Sequence, residues 1–177
     1  MKTNVFGRGI QNPVYRLADF YTAFYFHFIN EKSYAKAFGS RSTHLPGREA
    51  WEELAFEQLC LAHEEQIEEA LDINVLTYVS TWSTKGDANR NIPPEQLALV
   101  LDCYDDVIHL CEIKFLSAIH TITKDMEDAL RRKMDSFRAM TGTKKALQLT
   151  MITPFGVKVG ANSIIANQVT LDDLFKQ

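Results

Sequence analysis

Two apolar runs, residues 97–101 and 107–115, flank the polar turn Tyr104-Asp105-Asp106 and predict a β-hairpin. Strand side chains alternate between faces, so Glu112 and Lys114 point one way and Cys111, Ile113 and Phe115 the other. Upstream, residues 74–82 set Val75, Thr77 and Val79 against Leu76, Tyr78 and Ser80 and predict the strand before the hairpin. Residues 83–94, with Gly86, Asp87 and two prolines, read as a polar loop rimming the end of the hairpin. Downstream, Met126, Ala129, Leu130, Lys133, Met134 and Phe137 fall on one stripe and predict a helix over 125–140, stopped by Gly142. The apolar run 145–152 predicts a buried strand, 157–159 with 164–169 a late hairpin, and 170–175 a short capped helix.

The first third of the chain carries the other helices. Residues 1–13 read as a loose lead-in. Leu17, Phe20, Tyr21, Phe24 and Phe28 have helical spacing, which predicts a helix within 14–30, with Asp19 as a cap or first-turn residue. Its aromatics spill beyond one stripe, so the helix is expected to pack on two sides. The sharper alternative is a partner interface, with a homodimer through this 14–30 helix. Residues 31–48 read as a loop in which His44 faces solvent. Residues 49–71 predict the longest helix, with Trp51, Leu54, Phe56, Cys60 and Ile67 on a wide apolar face and Glu57 partly inward. His63 reads as a residue of the core edge, and Glu64, Glu65, Glu68 and Glu69 as a solvated acidic face. The order is an αβββαβ run with an extra N-terminal helix, an α/β chain with a mixed sheet covered by helices.

Composition narrows the classes. At 177 residues, nearly half of them apolar, the chain can bury a core, and its net charge of -4 is not that of a committed nucleic-acid binder. Arg131-Arg132-Lys133 and Lys144-Lys145 are the only basic clusters. Cys60, Cys103 and Cys111 sit in apolar segments without a CxxC pair, which reads as buried free thiols in a reducing cytoplasm. No signal peptide and no membrane span are expected. No glycine-rich phosphate loop is present, so no bound nucleotide is expected, and the chain reads as a domain or a descendant of something larger.

The chemistry concentrates on the second hairpin strand. A carboxylate and an ammonium on a covered strand cost several kcal/mol to desolvate unless they pair or bind something. One reading of Glu112 and Lys114 is a structural ion pair. The other is a site in which Glu112 holds a divalent cation and Lys114 stabilises a phosphate.

Glu112-Ile113-Lys114 at the end of a hairpin, after a helix carrying Phe56-Glu57, resembles the PD-(D/E)XK nuclease-like fold. More narrowly, the stretches NPVYRLADFYTAFYFHFI, WEELAFEQLCLAH, VIHLCEIKF, KKALQLTMITPFGV and VTLDDLF resemble the C-terminal part of prokaryotic AAA+ family ATPases. There, a P-loop ATPase and a winged helix precede a nuclease-like domain. The resemblance implies a restriction-endonuclease-like core over 49–177 behind an N-terminal segment, 1–48. It implies Glu112 and Lys114 as catalytic residues, and Glu57 and Glu112 as ligands of a magnesium ion. The family's main metal ligand is the Asp of Gln-Ile-Asp-Leu on the first hairpin strand, and this chain has Gln96-Leu97-Ala98-Leu99. With the turn centred on Asp105, Ala98 stands across from Glu112. Asp102 lies four residues, roughly 13 Å, along the strand. Glu95 belongs to the opposite face of a regular strand. A disarmed binding or regulatory module is therefore expected, cytoplasmic, with a protein partner or the missing ATPase module, and nucleic acid as a further candidate. The alternative is a weak magnesium-dependent nuclease acting on DNA or RNA.

Overall fold

Strand pairing grows outwards from the predicted hairpin. The computed structural model describes residues 2–7, 14–15, 17–26 and 47–176; residues 31–46 of the predicted loop over 31–48, with His44, and the end of the predicted first helix lie outside them. The hairpin strands are β4 (Glu95–Cys103) and β5 (Val107–Ile113). They pair antiparallel as Leu99 with Cys111 and Leu101 with His109, a register centred on Asp105. Asp106 takes the left-handed conformation (φ 65°), and Asp105 Oδ1 accepts from the Val107 N–H at 3.3 Å, so the turn is closed by its own acidic residues.

β3 (Thr77–Thr84) lies antiparallel beside β4, and β7 (Ala146–Thr153) lies parallel beside β5. β1 (Lys2–Val5) and β2 (Val14–Tyr15) extend the β3 side, and β9 (Ile165–Thr170) extends the other. The described residues thus form a seven-stranded mixed sheet of order β2-β1-β3-β4-β5-β7-β9. On one face lie α2 (Arg48–Ala62) and α3 (Glu64–Ala70). Their Phe56, Cys60, Leu61 and Ile67 pack on Leu99, Leu101, Cys111 and Ile152. On the other lies α4 (Lys124–Thr141), whose Leu130 and Phe137 pack on Trp82, Val100, Ile108 and Leu110. The chain is a mixed α/β protein in three layers, and the α2, β3, β4, β5, α4, β7 order is the αβββαβ run of the sequence.

Four expectations change. Residues 2–5 are not a loose lead-in: β1 pairs parallel with β3, and Phe6 anchors it, its N–H bonding Thr81 O at 2.8 Å and its ring lying 5.0 Å from that of Phe137. The first helix, α1 (Phe20–Phe24), begins later than predicted, where Asp19 accepts from the Tyr21 and Thr22 N–H groups; Val14–Tyr15 is strand. No described residue of α1 is fully buried, and Phe24 packs edge-on against Trp51 at 5.8 Å. The long helix over 49–71 breaks at His63 (φ -122°, ψ 37°), whose Nδ1 sits 2.9 Å from Leu59 O and whose ring packs on Phe175. The late hairpin does not form. β8 (Val157–Lys158) pairs instead with β6 (His120–Thr121), and β9 pairs with the free edge of β7, where Ile165 and Val169 become buried.

The three cysteines are free and buried. Burial lifts the Cys60 thiol to about 12 and raises those of Cys103 and Cys111. A thiolate is the reactive form, so the native protein should take up almost no Ellman's reagent at neutral pH and three equivalents once unfolded. Rapid labelling of the native state would contradict the packing of α2 on β5. No helix among the described residues is long and apolar enough to cross a membrane.

Candidate functional site

Lys133 stands on the inner stripe of α4, one turn from Leu130 and Phe137, which are buried in the core. Its Nζ reaches the sheet and bonds Glu112 Oε2 at 2.7 Å. Glu95 Oε2 lies 4.0 Å from the same nitrogen. These side chains, with Lys114, line a cavity of about 270 Å³ whose other walls are Met126, Ala129, Leu130 and Met151.

Each element delivers its residue for a local reason. Glu112 and Lys114 arrive together because β5 alternates: Cys111, Ile113 and Phe115 go to the α2 face, as the sequence pattern requires. Glu95 arrives through a β-bulge. Ser80 pairs with Val100 but Trp82 pairs with Leu97, so Thr81 alone stands against Ala98 and Leu99. The extra residue reverses the phase of β4. Leu99 and Leu101 face α2, while Leu97 joins Val100 in the α4 core, and Glu95, two residues before Leu97, follows it. The expectation that Glu95 points away from Glu112 is corrected by this bulge inside the strand.

The loop before β4 holds that entry in place. Asp87 and Ile92 exchange backbone hydrogen bonds at 2.8 and 2.9 Å. Gly86 takes φ +80°, and a Cβ there would lie 2.4 Å from Ile92 O, so only glycine fits. Arg90 bonds Asp87 and reaches the Ala139 carbonyl of α4 at 3.2 Å, tying loop and helix together.

The other candidates go elsewhere. Glu57 stands on α2, whose Phe56 packs edge-on against Phe115 across 6.0 Å. The sheet therefore separates Glu57 from Glu112, and the two do not meet. The strand alternation already carried this answer, because a helix packing on Phe115 must lie on the face that Glu112 leaves. The hairpin ladder ends at the Leu99–Cys111 pair, beside the bulge at Ala98-Leu99. Asp102 is paired with Lys145 at 2.7 Å. The Arg131-Arg132-Lys133 cluster is divided: the two arginines are exposed and the lysine turns inward. Lys145 bonds Asp102 and the Cys103 carbonyl, so neither basic run forms a continuous patch.

Two carboxylates and two ammoniums share the cavity, and their formal charges cancel. Of the four, the Lys114 ammonium alone makes no hydrogen bond or ion pair with a described residue. The donor set is a poor match for the magnesium ion that the resemblance implies. Ala98 offers no oxygen, Glu57 is beyond the sheet, and the point shared by Glu95 and Glu112 holds Lys133. No group of three or more His, Cys, Asp or Glu side chains placed to hold a metal ion occurs among the described residues.

Lys133 and Glu95 were the two site residues not assigned from sequence. The signal for Lys133 was a charged residue on an otherwise apolar helical stripe. No signal marked Glu95, because the run Leu97-Ala98-Leu99-Val100-Leu101 is apolar throughout and carries no alternation from which a phase can be read. Compared with protein-family models, with curated proteins and with solved structures, the chain matches none of them.

Proposed function

We propose that this chain is a nuclease-like module of the PD-(D/E)XK type that binds without cutting, related to the C-terminal domain of prokaryotic AAA+ ATPases. The αβββαβ order and the placement of Glu112 and Lys114 at the carboxyl end of a central strand support the architecture. The observation that carries the non-catalytic reading is the Lys133 ammonium seated on Glu112. Phosphodiester hydrolysis of this class uses carboxylates to hold a divalent ion against the phosphate. Here the better carboxylate is spent on an internal ion pair.

Lys114, which pairs with no described residue, leaves a cation in a half-buried cavity, suited to recognising an anion. A second, apolar groove of about 360 Å³ lies between Phe20, Trp51, Phe56 and Phe115, and Tyr21, Tyr25 and Phe26 beside Phe20 in the chain are exposed. That surface favours a protein partner or the ATPase module. The acidic α3 opposes nucleic acid on its side of the sheet: burial first, then repulsion from neighbouring glutamates, raises the Glu64 and Glu68 carboxyls above their usual value.

A second reading, a weak metal-dependent phosphodiesterase, is favoured by one observation: Glu95 supplies a second carboxylate beside Glu112. The discriminating experiment is incubation of the purified chain with plasmid DNA and with single-stranded RNA in magnesium or manganese. No cleavage above background is expected. Cleavage that disappears in Glu112→Gln would replace the binding reading with the hydrolytic one.

A further inference from the structure

We propose that the Lys133 ammonium is a built-in substitute for a divalent cation, making the site complete without metal. The inference rests on the non-catalytic reading above and explains how the fold sustains it. Glu95 and Glu112 belong to neighbouring strands and share a face only because of the bulge at Ala98-Leu99. Two carboxylates in one cavity repel, and each loses hydration there, so the arrangement requires a positive charge between them. Lys133 supplies it, with distances of 2.7 and 4.0 Å to the two groups.

The geometry favours the lysine over an ion from solution. Lys133 shares the cavity wall with Met126, Ala129 and Leu130, and its side chain is 16 % exposed, against 12 % for Glu112. The helix thus presents a tethered cation at high effective concentration, with little ordering left to do. Charge works in the same direction. Two ammoniums already balance two carboxylates, so a divalent ion entering beside them would leave an excess of two charges in a half-buried cavity. Entry therefore requires the ammonium to leave, and the short Lys133–Glu112 bond opposes that. Once the ammonium is removed, Glu95 and Glu112 form a pair of hard oxygen donors with Lys114 alone in opposition. Such a pair can hold a divalent ion that keeps several of its waters.

The test is manganese binding to the full chain by calorimetry, with thermal unfolding as a parallel readout. The wild type should show no saturable binding and no shift of its melting temperature. Lys133→Met should bind manganese, and at an ion concentration of about one hundred times Kd its unfolding equilibrium should shift about a hundredfold towards the native state. Adding Glu95→Gln and Glu112→Gln to that variant should abolish the effect. Lys133→Gln, which keeps a donor to Glu112, is the second variant if Lys133→Met folds poorly; refolding of either on addition of manganese supports the proposal equally. Saturable binding by the wild type that is lost in Glu112→Gln would overturn it. So would failure of both lysine variants to bind manganese or to be stabilised by it. That second failure would leave the non-catalytic reading intact, which falls only if the wild type cleaves a phosphodiester.

Discussion

Phe137→Ala should destabilise the protein by about 3–5 kcal/mol. Phe137 is fully buried at the centre of the α4 face, with the rings of Trp82 and Phe6 at 5.1 and 5.0 Å. Truncation removes the ring from contacts with both and leaves a cavity that α4 cannot close, since the helix is also fixed by Leu130 in the core and by the Arg90–Ala139 contact at its far end. Natural domains are stable by about 5–15 kcal/mol in all, so the loss is a large part of the total. The effect should be uneven. Phe6 ties β1 to the core, and β1 joins β3 through a short ladder, Asn4 with Ser80 and Val5 with Thr81. Amides of residues 3–6 should lose exchange protection before those of β4 and β5. Denaturant unfolding of the variant measures the first effect and hydrogen exchange the second. A loss under about 1 kcal/mol would mean that β1 is not anchored through this ring.

Glu112→Ala should cost about 3 kcal/mol, for an electrostatic reason. Removing one partner of a covered ion pair leaves the other charge desolvated, which is more damaging than losing the pair as a whole. Lys133 would keep only Glu95, at 4.0 Å. The double change Glu112→Leu with Lys133→Met should recover most of the loss, because two apolar side chains of similar volume would fill the space beside Met126, Leu130 and Met151. Chemical unfolding of Glu112→Leu, Lys133→Met and the double variant yields the coupling between the two residues. Equal losses in Glu112→Ala and in the double variant would show that the pair is not an energetic unit.

Legibility of the fold followed the range of the interactions. The hairpin, its turn and its register could be read because they are local: two apolar runs, three polar residues, and a fixed period of two along β5. The α4 stripe was equally clear, since Met126, Leu130 and Phe137 repeat at helical spacing and Gly142 (φ 68°) ends the helix. Errors arose where distant segments compete for the same surface. Residues 157–159 and 165–170 have the composition of a hairpin, yet β9 gains more by pairing with the free edge of β7, where Val169 becomes fully buried. The helix over 49–71 looked continuous because its apolar spacing does not change, while the break at His63 depends on contacts with Leu59 and Phe175, the latter over one hundred residues away.

By itself, the sequence determined the class of the protein, the strand that carries Glu112 and Lys114, and the face they share, since alternation along one strand is a local property of the backbone. It also placed Lys133 on the inward stripe of its helix. Only the tertiary structure decided what surrounds them. One extra residue in β4, visible only when β3 is laid against it, turns Glu95 into the cavity. The packing of α2 on Phe115 sends Glu57 to the far side of the sheet, and the docking of α4 over β5 sets an ammonium between two carboxylates. Strand phase and helix placement depend on cross-strand register and on which layer a helix covers, and neither is encoded in the spacing of residues within one segment.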